Sequence, residues 1–293
     1  MPLLWSFVRV RSMELKMIQF TDAEFYNLTS FVKVNYGIDL SNKKTFAELR
    51  LQRLIEEHGF DNFTAYFNYV TNDMSGIAIS DFISRLTVNH TLFFRESYHF
   101  DYLNEMVLPY FFEKAQDTRE FRVWSAGCST GEEPYTLAMI ISDFLGIYKA
   151  YWDMRILATD VSEFALKKAI TASYSMDSIN DLNPRWMKEY FTRDPNNPDH
   201  VFIADKIKDE IIFRKHNLIG DKFHFKNKFH FIFCRNVMIY FDEPTRNALI
   251  NRFYENLEDG GYLFIGMSET ISKSASDFKY VMPSVYRKEL ETK

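Results

Sequence analysis

Two adjacent carboxylates, Glu132 and Glu133, follow a glycine turn running from Gly127 to Gly131. The stretch from Val123 to Tyr135 reads as a short strand, a tight turn and a helix opening. That is the route by which a doubly wound α/β domain approaches a nucleotide-like ligand. Gly127 can take the positive φ such a turn requires, and Gly131 lets backbone come close to a ligand. The spacing lacks the full G-x-G-x-x-G of a dinucleotide fold and the Lys-Ser/Thr of a phosphate loop. No lysine or arginine stands near the turn to meet phosphates. Two carboxylates would repel a pyrophosphate, but they could accept hydrogen bonds from ribose hydroxyls or favour a cation. A cationic nucleoside such as S-adenosylmethionine fits those constraints. A turn of this composition also closes with no ligand at all.

Two further elements bear on that choice. The strand-like run from Met154 to Thr159 ends in Asp160, and an acidic residue at the tip of the strand after the glycine turn is where such folds bind a ribose. Asp160 also reads as a turn or capping aspartate. Ser162 has the character of an N-cap for a helix over Glu163 to Ala169. The run from His230 to Asp242 begins as continuous apolar residues, as a buried parallel strand should, and carries Asn236 and Tyr240 beyond its carboxyl end. Asn236 could read an adenine edge through its amide. The bland alternative is a polar turn residue and a core tyrosine.

The elements that must position these residues are legible along the chain. From Thr21 to Arg85 apolar residues recur at three to four positions, as in Phe25-Leu28, Phe46-Leu49 and Phe63-Tyr66-Phe67-Val70, with Gly37 and Gly59 as breaks. The pattern predicts a small all-α domain over 17–84, joined through Ile77 to Val88 to the larger part without a low-complexity linker. The second helix carries Lys43, Lys44, Arg50 and Arg53; Lys43 and Arg50, seven apart, share a face. Residues 85–293 carry the βα rhythm, broken over about 190–216. There the turn Asp194 to Asp199 stands beside two short β-like runs, His200 to Ala204 and Ile211 to Arg214. The last strands are Tyr262 to Gly266, after a Gly260-Gly261 turn, and Val281 to Arg287.

Four segments in order resemble the CheR family of chemotaxis-receptor glutamate O-methyltransferases. They are Asn89 to Arg95, Gly127 to Tyr135, Thr159 to Ser162 and Phe233 to Phe241, and the resemblance runs from about Phe20 to about Arg287. It implies an α/β fold: an S-adenosylmethionine-dependent, Rossmann-like methyltransferase domain with a small antiparallel β-subdomain, preceded by a small all-α domain. It implies methyl transfer from S-adenosylmethionine to glutamate carboxylates of methyl-accepting receptors, leaving S-adenosylhomocysteine. A glutamate with a pKa of about 4.3 is already ionised at neutral pH, so the reaction needs no general base. The lack of a convincing His-Asp pair therefore does not count against an enzyme.

By the same resemblance Asn89, Thr91 and Arg95 lie along the cofactor. Gly127 and Glu133 contact it, with Glu132 the lesser contact, and Asp160 takes the ribose hydroxyls. Asn217-Leu218 and Asn236-Val237 enclose the adenine. Arg95 and Tyr240 are the catalytic candidates: the planar fork of Arg95 suits a carboxylate, either the substrate's or the cofactor's, and Tyr240 stands near the transferred methyl. Cys128, where many relatives carry a small residue, should not block the cofactor. The basic second helix would face an acidic receptor bundle, and the β-subdomain is where some members grip a receptor C-terminal peptide. The alternatives are a related enzyme serving another signalling pathway and a non-catalytic cofactor-binding module. The run Asn236 to Tyr240 is faintly similar to the Asn-Pro-Pro-Tyr motif of DNA amino-methyltransferases.

Composition narrows the classes. Of 293 residues, 46% are apolar, enough for a sizeable core. A net charge of −5 and a pI near 5.9, without a basic cleft, argue against nucleic acid as a partner. The two cysteines, Cys128 and Cys234, lack metal-ligand spacing, and the seven histidines form no paired-ligand pattern, so no metal is expected. Free thiols suit a reducing cytoplasm. No apolar run reaches the length of a membrane span. Residues 1–16 read as a poorly ordered extension with Met13 or Met17 as alternative starts, and nothing demands more than a monomer.

Overall fold

A computed structural model describes residues 18–87, 90–220 and 222–290. The expected extension over 1–16 and the candidate Asn89 lie outside these. Helical periodicity becomes four helices: α1 (Asp22–Tyr36), α2 (Lys44–Glu57), α3 (Phe63–Asn72) and α4 (Ile77–Leu86). α1 begins in a capping box: Thr21 Oγ1 accepts from the Glu24 N–H, and the Glu24 carboxylate accepts from the Thr21 N–H. Leu28, Val32, Leu51, Tyr66, Phe82 and Ile83 form the core of this bundle, so α4 belongs to it.

Next come α5 (Tyr98–Tyr102), a π turn over Leu103–Val107, and α6 (Leu108–Lys114). The sheet then starts with β1 (Val123–Ala126), α7 (Glu132–Leu145), β2 (Ile156–Asp160) and α8 (Glu163–Thr171). Ser162 caps α8, its hydroxyl accepting from the Ala165 N–H at 3.1 Å. A side excursion follows: β3 (Ser173–Ser175), α9 (Pro184–Tyr190), β4 (Phe191–Arg193), β5 (His200–Ile203) and the single turn α10 (Asp205–Lys208). The chain returns through β6 (Ile211–Lys215), β7 (Phe229–Cys234), α11 (Glu243–Asn256), β8 (Leu257–Ile265), β9 (Lys279–Met282) and β10 (Val285–Arg287).

The main sheet has the order β6-β2-β1-β7-β8-β10-β9. Its first five strands are parallel; β10 then runs antiparallel to β8, and β9 antiparallel to β10. β7 is buried along its whole length: Phe231 and Phe233 join the core under α5–α7, while Ile232 and Cys234 join the core with Trp124 and α11. Burial on both faces is why that strand reads as an apolar run from Phe231 to Cys234, after His230.

Two expectations are corrected. Ile211 to Arg214 was expected in the small subdomain, but β6 pairs parallel with β2, Ile156 opposite Ile211, and forms the edge of the main sheet. The three-stranded sheet instead recruits β3, in the order β3-β5-β4, and the turn Asp194 to Asp199 joins β4 to β5. The single turn α10 carries the chain back to the main sheet, where the apolar Ile211 and Ile212 pair with β2. Secondly, Gly260-Gly261 is not a turn but lies inside β8, where the register against β7 shifts and Gly260 N–H and Gly261 C=O bond Lys288. A bulge inside a strand favours the same residues as a turn. Val281 to Arg287 is correspondingly a hairpin of β9 and β10.

The helical bundle is docked onto the sheet domain. Ile38 bridges Phe241, the Asp39 N–H donates to the Tyr240 carbonyl at 2.8 Å, and Lys33 pairs with Asp242 at 2.8 Å. The Glu163 N–H donates to Ser80 Oγ at 2.6 Å. These contacts run along the carboxyl end of the sheet, so the bundle forms one wall of whatever opens there.

Candidate active site

In the main sheet the strand order reverses between β1 and β7. Open α/β sheets hold ligands in the crevice beyond the strand ends at such a point. A cleft of about 1000 Å³, counted to its mouth, opens there. Its floor is the turn after β1. Gly127 has φ +87°, and a Cβ on it would stand 2.4 Å from Cγ2 of Val237. The turn after β1 and the loop after β7 therefore touch. Gly127 and Cys128 both donate their N–H to the Thr159 carbonyl, at 2.8 and 2.9 Å, which fastens the floor to the end of β2. Cys128 is buried in this floor, its side chain 1% exposed together with its backbone.

Gly131 plays a different part from the one expected. A Cβ there would meet Ala169 Cβ and the Tyr174 hydroxyl, both at 2.9 Å. The residue lets α7 pack closely on α8 and β3 and is not among those lining the cleft.

Asp160, at the tip of β2, lines the cleft beside this floor. Its Oδ2 accepts from the Ser129 N–H at 2.9 Å and its Oδ1 from the Ser162 N–H at 2.8 Å. Burial pushes its pKa up, and the N–H groups of Ser162, Ser129 and Val161 partly offset that. Each oxygen retains lone-pair capacity for a ligand hydroxyl. It is thus at once a capping aspartate and a group facing the cleft.

Glu133 sits in the first turn of α7, where the helix dipole favours a carboxylate. Its Oε1 accepts from Ser125 Oγ at 2.7 Å and its Oε2 from Arg235 at 3.2 Å. Burial pushes its pKa up, against the Arg235 charge and the Ser125 hydroxyl. Glu132 does not line the cleft; it accepts from Thr130 Oγ1 at 2.6 Å.

Arg235 follows β7 immediately and its side chain is 3% exposed. Besides Glu133 it donates to Glu96 Oε2 at 3.1 Å and to the Arg95 carbonyl, and its guanidinium lies 5.3 Å over the Phe100 ring. Burial pushes the Glu96 carboxyl up, but Arg235 and the Met267 N–H outweigh it and leave the pKa low. Asn236 has φ +59°, and its loop is pinned by Glu269. That buried carboxylate accepts from the N–H groups of Asn236 and Ile239, each at 3.1 Å, and of Gly266 at 2.5 Å.

The structure brings every candidate site residue that it describes into this one cleft. Thr91 and Arg95 form one rim, Gly127, Glu133 and Asp160 the floor and side, and Leu218 and Val237 an apolar slot between Asn217 and Asn236. The Asn217 amide is engaged: its Nδ2 donates to the Asn35 carbonyl at 2.7 Å and its Oδ1 accepts from the Ile219 N–H at 3.0 Å. It fixes the slot against the bundle. Tyr240 closes the far rim at the end of a 3-10 turn. Arg95 donates to the His90 carbonyl at 2.8 Å. Beyond Arg95 and Tyr240 a second recess continues the cleft, lined also by Leu40, Lys43, Phe46 and Ile239.

Sequence reasoning missed Arg235, Glu96, Ser125 and Glu269. An arginine directly after the apolar run Phe231 to Cys234 was a usable signal, since a buried charge must be paired. Glu269 carried none, because two of its three backbone partners, Asn236 and Ile239, lie thirty residues or more away in sequence.

The donor set suits a nucleoside that carries positive charge. Two partly buried carboxylates, Glu133 and Asp160, face the cleft beside an apolar slot and an amide, and neither of the two cleft arginines stands at the β1–α7 turn to receive phosphate. Residues 23–87 match the CheR methyltransferase all-alpha domain, and residues 89–286 match the CheR methyltransferase SAM binding domain. The chain is 42% identical over 274 residues to a chemotaxis protein methyltransferase of Borreliella burgdorferi, covering 92% of this chain and 96% of that one. It is 36% identical to a probable chemotaxis protein methyltransferase of Rhizobium etli, covering 82% and 89%. The Salmonella typhimurium chemotaxis protein methyltransferase is 32% identical, covering 91% and 90%. The chain therefore belongs to the CheR methyltransferase family and is an S-adenosylmethionine-dependent methyltransferase.

Proposed function

We propose that the protein methylates glutamate side chains of chemotaxis receptors in the cytoplasm, giving glutamate methyl esters and S-adenosylhomocysteine. The observation that carries this reading is the continuity of the two recesses. The cleft with Glu133 and Asp160 runs past Arg95 and Tyr240 into a second hollow bounded by Lys43 and Phe46 of the helical domain. A side chain reaching in from outside would meet cationic groups before it met the cofactor cleft. The curated relatives named above are chemotaxis methyltransferases, which supports a receptor as the acceptor.

The bound cofactor supplies an electrophilic methyl on a sulfonium. An acceptor glutamate, already ionised near neutrality, could take that methyl on a carboxylate oxygen, and the carbon–sulfur electron pair would stay on sulfur. No proton moves. The protein's work is then to bind, align and dry the partners. Asp160 would accept the ribose hydroxyls, Glu133 would stand beside the cationic end, and Leu218 and Val237 would enclose the base beside the Asn236 amide. Arg95, which lines both recesses, orients the acceptor carboxylate with its fork. Tyr240, at the junction of the two recesses, shields the methyl from water. Anion and cation become neutral products, so a water-poor junction favours the transition state over the solvated ions.

On α2, Lys44 is paired with Asp22 at 2.8 Å and Arg53 with Glu57 at 2.6 Å. Lys43 lines the second recess, while Arg50 lies 5.3 Å over the Phe46 ring. These two are the cations best placed to meet an acidic helical bundle. Transfer of labelled methyl to receptor cytoplasmic fragments, with and without their C-terminal tails, tests the acceptor class. Label appearing only on non-receptor proteins would defeat it.

A further inference from the structure

One buried guanidinium joins the two sides of the cleft. Arg235 reaches Glu133 on α7 with one arm; with the other it reaches Glu96 and the Arg95 carbonyl on the opposite rim. Removing it would leave two partly buried carboxylates facing each other across the gap. We propose that Arg235 is a positioning residue: it holds Glu133 aimed into the cleft and locks the Arg95–Glu96 segment to it, so cofactor carboxylate and acceptor-side arginine are set by one side chain.

This rests on the assignment of Glu133 to the cofactor. Glu96 takes part in the same balance. Its φ of +57° is an uncommon backbone conformation for a residue with a side chain. Its carboxylate holds Arg235 from the side away from Glu133 and also receives the Met267 N–H at 3.4 Å. Phe100 closes the remaining face of the guanidinium. Two carboxylates share one arginine, and each modulates the other through it.

The charged and titratable groups around Glu133 are few. Arg235 favours its ionised form and Glu96 opposes it. The thiols of Cys128 and Cys234 also face it, but burial pushes both far up, so neither charges near neutrality. His99, beside Glu96 and Arg235, is held by burial down to about 4 and stays neutral above that. Asp160 is partly buried too, but the groups acting on it are backbone N–H groups and not Arg235 or Glu96. The two substitutions that alter the pair should therefore move the Glu133 ionisation in opposite directions. Loss of the arginine raises it; loss of the Glu96 charge lowers it.

The test is calorimetric titration of the full chain with S-adenosylhomocysteine from pH 5 to 8, for wild type, Arg235→Gln, Glu96→Gln and Glu133→Gln. Affinity is expected to fall on the acid side as Glu133 takes up a proton. Arg235→Gln should move that midpoint upward by about one pH unit or more, the usual scale for a nearby opposite charge, and Glu96→Gln should move it downward. General damage to the fold would weaken binding without shifting the two midpoints apart. Midpoints that coincide with wild type, or that move the same way in both variants, overturn the positioning role. An acid limb that survives unchanged in Glu133→Gln defeats instead the assignment of Glu133 to the cofactor, and the positioning proposal falls with it.

Discussion

A side chain on Gly127 would collide with Val237: the nearest approach, 2.4 Å to Cγ2, is shorter than any real Cβ contact. The turn after β1 and the loop after β7 thus sit in direct contact beneath the cleft, and the φ of +87° at Gly127 adds a backbone penalty for any other residue. Gly127→Ala is expected to weaken S-adenosylhomocysteine binding at least tenfold and to lower stability by about 1–3 kcal/mol from strain and overpacking. Calorimetry and urea unfolding read the two effects separately. Wild-type affinity in a folded variant would remove Gly127 from the floor of the cofactor site.

Asp160 carries two loads, one for the fold and one for the ligand. Asp160→Ala leaves the Ser129 and Ser162 N–H groups without their acceptor, at a cost of about 1–3 kcal/mol in stability. It also removes charge-assisted bonds to the ribose, which should weaken cofactor binding by about 1.5–3 kcal/mol. Asp160→Asn is the gentler comparison, since its amide oxygen can keep one of the two backbone bonds. A calorimetric affinity equal to wild type in both variants would separate Asp160 from the ribose.

How much of this was legible beforehand depends on where each residue's partners lie in sequence. The strands at Val123, Ile156 and Phe229 announced themselves through local apolar runs, and Ser162 through its capping position. Glycine alone was ambiguous. Gly131 and Gly260 have the signature of turns or ligand contacts, yet one serves helix packing and the other a bulge, distinctions made by Tyr174 and Lys288 from far along the chain. β6 was misplaced for a similar reason: a short β-like run carries no mark of which sheet it joins. The Glu133–Arg235–Glu96 pairing spans 102 and 139 residues, and no local pattern could have drawn it.

The Lys33–Asp242 pair ties the helical bundle to the start of α11 and sets an acid dependence. Lys33, then the Thr245 hydroxyl and N–H, hold the Asp242 carboxyl down to about 2. A depressed carboxyl contributes stability that is fully present above its unfolded value near 3.9 and is lost as pH falls through about 2. The pair is partly exposed, so solvent screening keeps its contribution small. Lys33→Met should raise the Asp242 ionisation toward its ordinary value, which closes the gap between folded and unfolded states and removes most of this acid-dependent loss. Carboxyl carbon shifts followed from pH 5 to 2 check this directly, and an unmoved Asp242 titration would contradict the pair.

Lys43 and Arg50 are expected to act on encounter and not on chemistry. Reversing both to Glu should slow turnover on receptor fragments several-fold at low salt, an effect that shrinks as salt rises, and leave S-adenosylhomocysteine affinity unchanged. Equal turnover of variant and wild type at low salt would take α2 out of the docking surface.

The central claim is the chemistry of the acceptor, and one measurement reaches it. Labelled S-adenosylmethionine is incubated with the protein and receptor cytoplasmic fragments from the same source, and the product is treated with mild base. Release of labelled methanol from the receptor is the expected result, because a glutamate methyl ester hydrolyses under those conditions. Label that stays on the receptor through base, or no label on the receptor despite bound cofactor, would contradict carboxyl methylation.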